Sequence, residues 1–311
     1  MTSRPGLLPD VSVVLCTRDR PQMLSQAVSS ILAGTAVPAE IVIVDQSETP
    51  HRSLANAGGS GSPEIRHVQS RSRGLARARN EGTRLARHPI LVFTDDDVLV
   101  DPSWIGRLVS ALKAASENTV VTGRVIAGEP ETAGAFAPSL KGGDVARVFR
   151  GRVREDPLVS ANMALPRALF EWLGGLDPRL GVGTPFPGGE DNDFGFRLLE
   201  SGCDIAYVPD AVVVHRAWRA TSDHYLRQRW GYGRGQGAFL AKNLGRGGRF
   251  MGRRLAGSVA RVTARAVRRL IAPNGSAPRG RWQMAIGDLA LVAGIVSGAV
   301  AWLGGRRGGN A

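Results

Sequence analysis

The sequence predicts an α/β protein built on a Rossmann-like, mostly parallel sheet flanked by helices, with a basic, apolar helical tail behind it. Short β-branched apolar runs recur between residues 11 and 215, and helix-length amphipathic segments separate them, which is the pattern of βαβ units. Charge predicts the tail: residues 1–215 hold 22 Lys plus Arg against 25 Asp plus Glu, whereas residues 216–311 hold 18 against 2. The whole excess of the net +13 therefore sits at the C-terminal end, where it asks for an anionic partner.

The elements follow in order. "VSVVLC" reads as a strand, "PQMLSQAVSSILAG" as a helix and "EIVIVDQ" as a second strand. A Gly/Ser-rich loop through "NAGGSGSP" leads to the strand "EIRHVQ", the helix "GLARARNEGTRLAR" and the strand "PILVF". Then come the helix "PSWIGRLVSALKAA" and the strand "TVVTGRVIA". Residues 128–157, rich in Gly, Pro and charge, read as a long loop or insertion. The pattern resumes with "LVSANMALP", a short helix "RALFEWLG" and a Gly/Pro-rich loop, before the helix "EDNDFGFRLLESG" and a last strand, "DIAYVPDAVVVH". Residues 1–217 are expected to form one domain and 218–311 the tail.

A chain of 311 residues with 43% hydrophobic content is too apolar to be disordered. Cys16 and Cys203 fall in a predicted strand and at a helix end, so a reducing, cytoplasmic setting is expected rather than a disulfide framework. The first ten residues lack the apolar core of a signal peptide, which places the expected start of the chain on the cytoplasmic side.

Open parallel sheets bind ligands beyond the carboxyl ends of their strands, so the residues just after the strands are the ones to weigh. These are Thr17, Arg18 and Asp19, then Asp45, then Asp95, Asp96 and Asp97. Three successive carboxylates after the buried run "PILVF" repel one another unless a cation compensates them. Asp95 and Asp97, in an Asp-x-Asp arrangement, suit Mg2+ or Mn2+, held by one or two carboxylates with substrate phosphate completing the shell. The plainer reading has them capping the helix near Pro102; their place at the sheet edge favours the metal. Asp45 stands where an acidic residue can accept from a nucleotide's sugar or base, but taken alone it reads as a turn-forming residue of "DQSETP". No dinucleotide fingerprint and no phosphate-cradling loop is present, so phosphates would be held by metal and side chains.

Arg77 and Arg79 near a helix start either await an anion, such as a diphosphate, or form a basic face pairing with Glu81. Glu190 and Asp191 open a helix; they either cap it or supply a general base for an acceptor hydroxyl, with Asp193 serving the helix. His215 ends the last strand, where an imidazole is either structural or completes a metal shell.

In this order, "VSVVLCTRDRPQML", "EIVIVDQS", "GLARARNEG", "ILVFTDDDVLVDPSW", "SANMALPRALFEWLGGLDPRLG" and "GGEDNDFGFRLLESGCDIAYVPDAVVVH" resemble the family 2 glycosyltransferases over roughly residues 10–217. The resemblance implies the GT-A fold and an inverting, metal-dependent transfer from a nucleotide-diphospho-sugar to a hydroxyl acceptor, in cell-envelope glycan, polysaccharide or glycolipid synthesis. It implies that Thr17, Arg18, Asp19, Asp45, Arg79, Asp95 and Asp96 serve the donor. It further implies that Asp95, Asp97 and His215 serve the metal, that Asp191 with Glu190 serves catalysis, and that Asn162, Gly189 and Trp218 lie on the acceptor side. The 128–157 segment matches no family motif.

A nucleotidyltransferase on a similar sheet would need a Gly-rich basic loop after the first strand, and "TRDRPQ" is a poor match. A nucleic-acid-binding arm would need aromatic residues for base stacking, which the tail has in short supply. Residues 251–270 instead read as a basic amphipathic helix, with Arg254, Arg261, Arg265 and Arg268 near helical spacing. "MAIGDLALVAGIVSGAVAWL", residues 284–303, is long enough to span a bilayer, with Asp288 as its one charge. The expected location is the cytoplasmic face of the membrane, peripheral or single-pass, and a membrane surface is favoured over nucleic acid as the partner of the tail.

Overall fold

The computed structural model describes residues 5–49, 63–129, 135, 140–216, 218, 221–271 and 281–307. Two compact units emerge. The first comprises Met1–Glu129, Pro138–Leu176 and Phe194–Ala217, and the second Pro130–Ala137, Asp177–Asp193 and Trp218–Ala311. The loop Asp177–Asp193 groups with the C-terminal helices. The Gly/Ser-rich stretch after the second strand lies outside the described residues.

The first unit holds β1 (Gly6–Thr17), α1 (Pro21–Leu32), β2 (Ala36–Asp45), β3 (Glu64–Gln69), α2 (Leu75–Leu85), β4 (Ile90–Asp95), β5 (Val98–Val100) and α3 (Trp104–Ala114). It continues with β6 (Thr119–Ala127), β7 (Arg147–Phe149), a 3-10 turn at Ser160–Asn162, β8 (Met163–Pro166), α4 (Arg167–Trp172) and β9 (Asp204–His215). The helix α5 (Glu190–Glu200) begins in the second unit and belongs to the first from Phe194 onward.

The described strands form one sheet in the order β3-β2-β1-β4-β8-β6-β9-β5, with β7 beside β9. The pairs β1–β2, β1–β4, β2–β3 and β6–β9 are parallel, while β8, β5 and β7 run antiparallel to their neighbours. Two strands escaped the sequence reading. β7 lies inside the segment expected to be loop, and β5 follows the three aspartates directly; each is three residues long, too short to show a period.

Alternation along the central strands explains the two layers of helices. Val13, Leu15, Ile41 and Ile43 face one side and pack with Leu24 and Ile31 of α1 and Trp104 and Leu108 of α3. Val14, Val42, Val44 and Phe93 face the other, against Ala76 and Ala78 of α2, Phe170 of α4 and Phe194 of α5. Phe170 links Phe93 (ring centroids 5.4 Å apart) to Phe194 (5.2 Å). Both cysteines are buried and free.

The second unit is mainly α6 (Ser222–Lys242), α7 (Leu244–Ile271), which breaks its helical path at Gly248, and α8 (Arg281–Arg307). Small residues let α6 and α8 touch backbone to backbone. A Cβ on Gly233 would stand 2.3 Å from the Leu291 carbonyl oxygen, and one on Gly237 2.0 Å from that of Ile295. Asp288, the one carboxylate of α8, is fully buried. Its oxygens accept from Arg229 Nη2 at 2.7 Å, from Arg265 Nη2 at 2.6 Å and Nε at 2.8 Å, and from Arg269 Nη1 at 2.7 Å. A charge that looked out of place in an apolar helix is therefore the anchor for three arginines of α6 and α7.

Candidate functional site

Register brings the expected residues of the first unit to one edge. Thr17 lies opposite Asp45 across β1 and β2, and Cys16 lies opposite Asp95 across β1 and β4. Thr17, Asp45 and Asp95 therefore end three adjacent parallel strands on the same side. Asp96 and Asp97 form the turn into β5, whose Val98 pairs with His215 at the end of β9, while the Arg216 amide donates to the Asp97 carbonyl (2.9 Å). That pairing carries His215 to the cluster.

The three carboxylates divide. Asp95 is engaged by the Arg79 guanidinium, which also donates from Nη1 to Ser160 Oγ at 2.8 Å. Asp96 accepts from Thr17 Oγ1 at 2.8 Å and from Arg20 Nη1 at 3.2 Å. Asp97 accepts from Arg20 Nη1 at 3.0 Å and lies 3.3 Å from His215 Nε2. Burial pushes the Asp96 carboxyl up to about 6 even though Arg20 opposes the shift. Asp97 goes the other way: burial raises it, but His215 and Arg20 more than offset this and hold it below the usual carboxylate range. Neighbouring like charges thus coexist because each has its own cationic or hydroxyl partner.

Arg20 was not singled out from the sequence, and it is the cation that two of the acids share. Its signal was present, in a basic residue four positions past a buried strand, on the loop nearest three carboxylates. The backbone prepares the approach: Asp19 has φ +56°, the one non-glycine residue with positive φ among the described residues, and its amide donates to Ser47 Oγ at 2.7 Å. Arg18 stays exposed, beside Asp19.

Asp45 is fully buried and held by the Ser47 amide (2.8 Å) and by His67 Nε2 (3.0 Å). Burial raises its pKa, yet the Ser47 and His67 contacts bring it below the ordinary value. Arg79 is 1% exposed and spans Asp95 and Ser160. Glu81, considered as a partner for the basic face, accepts instead from Ser70 Oγ (2.6 Å) and Ser72 Oγ (3.3 Å).

Asn162, expected on the acceptor side, is fully buried and its amide is engaged by the fold. Its Oδ1 accepts from Trp104 Nε1 (2.8 Å), and its Nδ2 donates to the carbonyls of Arg124 (3.0 Å) and Ala211 (2.9 Å). With its amide bonded inside the core, the side chain braces β6 and β9.

In the second unit, Glu190, Asp191 and Asp193 occupy the first turn of α5, where carboxylates are favoured by the helix dipole. Asp193 is fully buried, bound to Lys242 Nζ (2.7 Å) and Asn243 Nδ2 (2.9 Å) at the C-terminal end of α6. Glu190 is buried, whereas Asp191 is half-buried and next to Asn192, whose Nδ2 donates to Gln236 Oε1 at 2.7 Å. Gly189 (φ +80°) presses on α6: a Cβ there would lie 2.8 Å from the Gly235 carbonyl oxygen. Trp218 is half-buried.

The metal expectation can be tested on the ligand atoms. Among the described residues no three His, Cys, Asp or Glu side chains group together as a metal site. Asp97 and His215 do converge, and two protein ligands with the remainder from a diphosphate fit Mg2+ or Mn2+. Asp95 is paired with Arg79.

Solved structures share this architecture. The mannosyltransferase PcManGT from Pyrobaculum calidifontis, in complex with GDP-Man and Mn2+, aligns with a TM-score of 0.53 at 18% identity, over 97% of this chain and 76% of that one. Staphylococcus aureus TarS 1-349 with UDP-GlcNAc aligns at 0.54 and 14% identity, over 96% and 92%. At such identities the likeness speaks for the fold, which is of the GT-A type. In sequence, the chain is 31% identical over 183 residues to the glucosyl-dolichyl phosphate glucuronosyltransferase of Haloferax volcanii, a match covering 55% of this chain and 57% of that protein. It spans between 17% and 57% of the length of the curated relatives it matches. The model of Glycosyl transferase family 2 matches residues 12–171, from the middle of β1 to α4, and so takes in the strand ends that gather Thr17, Asp45 and the three aspartates. On that match over half of its length, the chain belongs to glycosyl transferase family 2.

Proposed function

We propose that the protein transfers a sugar from a nucleotide-diphospho-sugar to a hydroxyl acceptor, with inversion at the anomeric carbon, in the synthesis of a cell-envelope glycan or glycolipid. The observation that carries this reading is the Asp97 carboxylate, shared between Arg20 and His215 where three parallel strands end. Thr17, Asp19 and Asp45 serve the nucleoside, and Asp96 the ribose or sugar. Asp97 and His215 would hold Mg2+ or Mn2+, with Asp95 steadied by Arg79 beside them. That ion would neutralise charge on the departing diphosphate. Asp191 takes the proton of the acceptor hydroxyl, whose oxygen forms the new bond to the anomeric carbon. The bond from that carbon to the diphosphate oxygen breaks, and its electron pair leaves with the nucleoside diphosphate.

The described residues include one helix, Arg281–Gly305 of α8, long and apolar enough to cross a membrane. Peripheral attachment on the cytoplasmic face is the better reading, because Asp288 and its three arginines would have to enter the bilayer with a spanning α8. Trp282, Ile286, Leu289, Val296, Val300 and Leu303 are exposed at helical spacing, an apolar stripe suited to lying in the interface.

A donor screen tests the enzyme reading: UDP-, GDP- and dTDP-sugars with Mn2+, comparing the parent with Asp97→Ala and Asp191→Asn. Asp97→Ala is expected to lose donor turnover, and Asp191→Asn to bind donor but transfer by roughly a hundredfold less. If no donor binds, or if both variants act like the parent, the assignment is wrong.

A further inference from the structure

The second unit contains an open cavity of about 700 Å3, lined by all three of its long helices. Its chemistry is divided. Arg261, Arg265 and Arg268 of α7 follow one another at four and three residues, so they share one face of that helix, and Arg229 of α6 joins them. Leu291 and Ile295 of α8, with Val262 of α7, supply an apolar wall.

The basic part is not neutralised from within. Asp288 has two oxygens and already accepts from Arg229, Arg265 and Arg269. Among the described residues Arg261 and Arg268 have no carboxylate partner; Arg261 reaches only Ser258 Oγ, at 3.4 Å. Tyr232, on the same wall, accepts from Gln228 Nε2 at 2.9 Å and retains its own O–H to donate. Guanidinium groups without an acid, set beside aliphatic side chains, complement a phosphate joined to an apolar chain.

We propose that this cavity binds the phosphate head of an anionic amphiphile, with Arg261 and Arg268 as its chief partners and Leu291 and Ile295 against its chain. The proposal stands independently of the sugar-transfer reading. A phosphate on an apolar chain could belong to a membrane phospholipid, a diester, or to a lipid carrying a terminal monophosphate.

Calorimetric titration of the full chain separates these cases, with farnesyl phosphate, dihexanoyl phosphatidylglycerol, farnesol, inorganic phosphate and a thymidine oligonucleotide as probes. At least one of the two amphiphiles is expected to bind saturably, one per chain, and about tenfold or more tighter than inorganic phosphate or farnesol. A preference for farnesyl phosphate identifies a monophosphate lipid, and a preference for the glycerol diester a bilayer lipid; either supports the site. The double variant Arg261→Gln/Arg268→Gln, which breaks no ion pair, should weaken amphiphile binding by about tenfold or more. Leu291→Ser should weaken it severalfold while leaving inorganic phosphate unaffected. Inorganic phosphate binding as tightly as the amphiphiles, the oligonucleotide binding best, or unchanged affinity in the double variant would each overturn the proposal.

Discussion

Arg20 Nη1 stands 3.0 Å from Asp97 Oδ2 and 3.2 Å from Asp96 Oδ1, so one guanidinium compensates two consecutive carboxylates. Arg20 is itself 46% exposed, which limits the worth of the pair in water. It also competes for the oxygens that a divalent cation would use. Replacing Arg20 by Gln should destabilise the metal-free protein by about 1 kcal/mol, discounted for that exposure. The same change should enlarge the rise in melting temperature caused by Mn2+, since the ion then meets two carboxylates that have lost their shared guanidinium. Thermal unfolding with Mn2+ and with chelator reads both; a rise no larger than the parent's would show that Arg20 and metal do not compete.

Arg79 and Asp95 form a pair of another kind, because the arginine is buried to 1% exposure and also holds Ser160. Arg79→Met should cost about 3–5 kcal/mol, since it leaves Asp95 facing the space of a lost cation. Arg79→Lys should recover only part, because an ammonium cannot present two nitrogens to two partners. In the double variant Arg79→Met/Asp95→Asn the loss should be smaller than the sum by about 1 kcal/mol or more. Urea denaturation of the four proteins closes the cycle, and strict additivity would mean that the pair is not coupled.

Much of the first unit was legible because its physics is local. Short β-branched apolar runs announced β1, β2 and β4, and an amphipathic period announced α1 and α3, so the carboxyl edge with Thr17, Asp45 and the three aspartates could be listed in advance. What could not be read was who partners whom. Asn162 looks like any polar residue near a strand, and only the crossing of β6, β8 and β9 reveals that its amide is consumed by Trp104, Arg124 and Ala211. Arg20 is one arginine among many until a positive φ at Asp19 precedes it and the turn after β4 meets it. Asp288 was read as a blemish in an apolar segment, since its three arginines lie 19 to 59 residues away.

Gly82 sits where α2 crosses the sheet. A Cβ there would lie 2.4 Å from Val14 Cγ1 and 3.3 Å from Val44 Cγ2, and both valines are fully buried in the central strands. In an open helix interior, Gly→Ala gains up to about 1 kcal/mol, but overpacking of this kind costs about 1–3 kcal/mol. Gly82→Ala is therefore expected to lower stability, and Gly82→Ala/Val14→Ala to lose less than the two single changes together. A stabilised single variant in denaturant unfolding would mean that α2 can lift from β1 at little cost.

Asp177 offers a test of the second unit through pH. Its carboxylate accepts from the Arg179 amide (3.0 Å), Nε (3.0 Å) and Nη2 (2.7 Å), and lies 2.7 Å from Lys242 Nζ, which reaches Asp193 Oδ2 at the same distance. Burial raises the Asp177 pKa, but the bonds from Arg179 and Lys242 overcome it and hold the group well below the ordinary carboxylate range. A depressed folded-state pKa stabilises the fold fully above the unfolded value of about 3.9, and that stabilisation is lost as pH falls below it toward the folded-state value. Asp177→Asn should thus cost about 1–3 kcal/mol at pH 7. It should also flatten the decline of stability between about pH 4 and pH 2. Lys242 keeps Asp193 in the variant, and Arg179, whose side chain is 62% exposed, can turn to water. Urea midpoints measured across that range decide it, because parallel curves for variant and parent would place the acid sensitivity elsewhere.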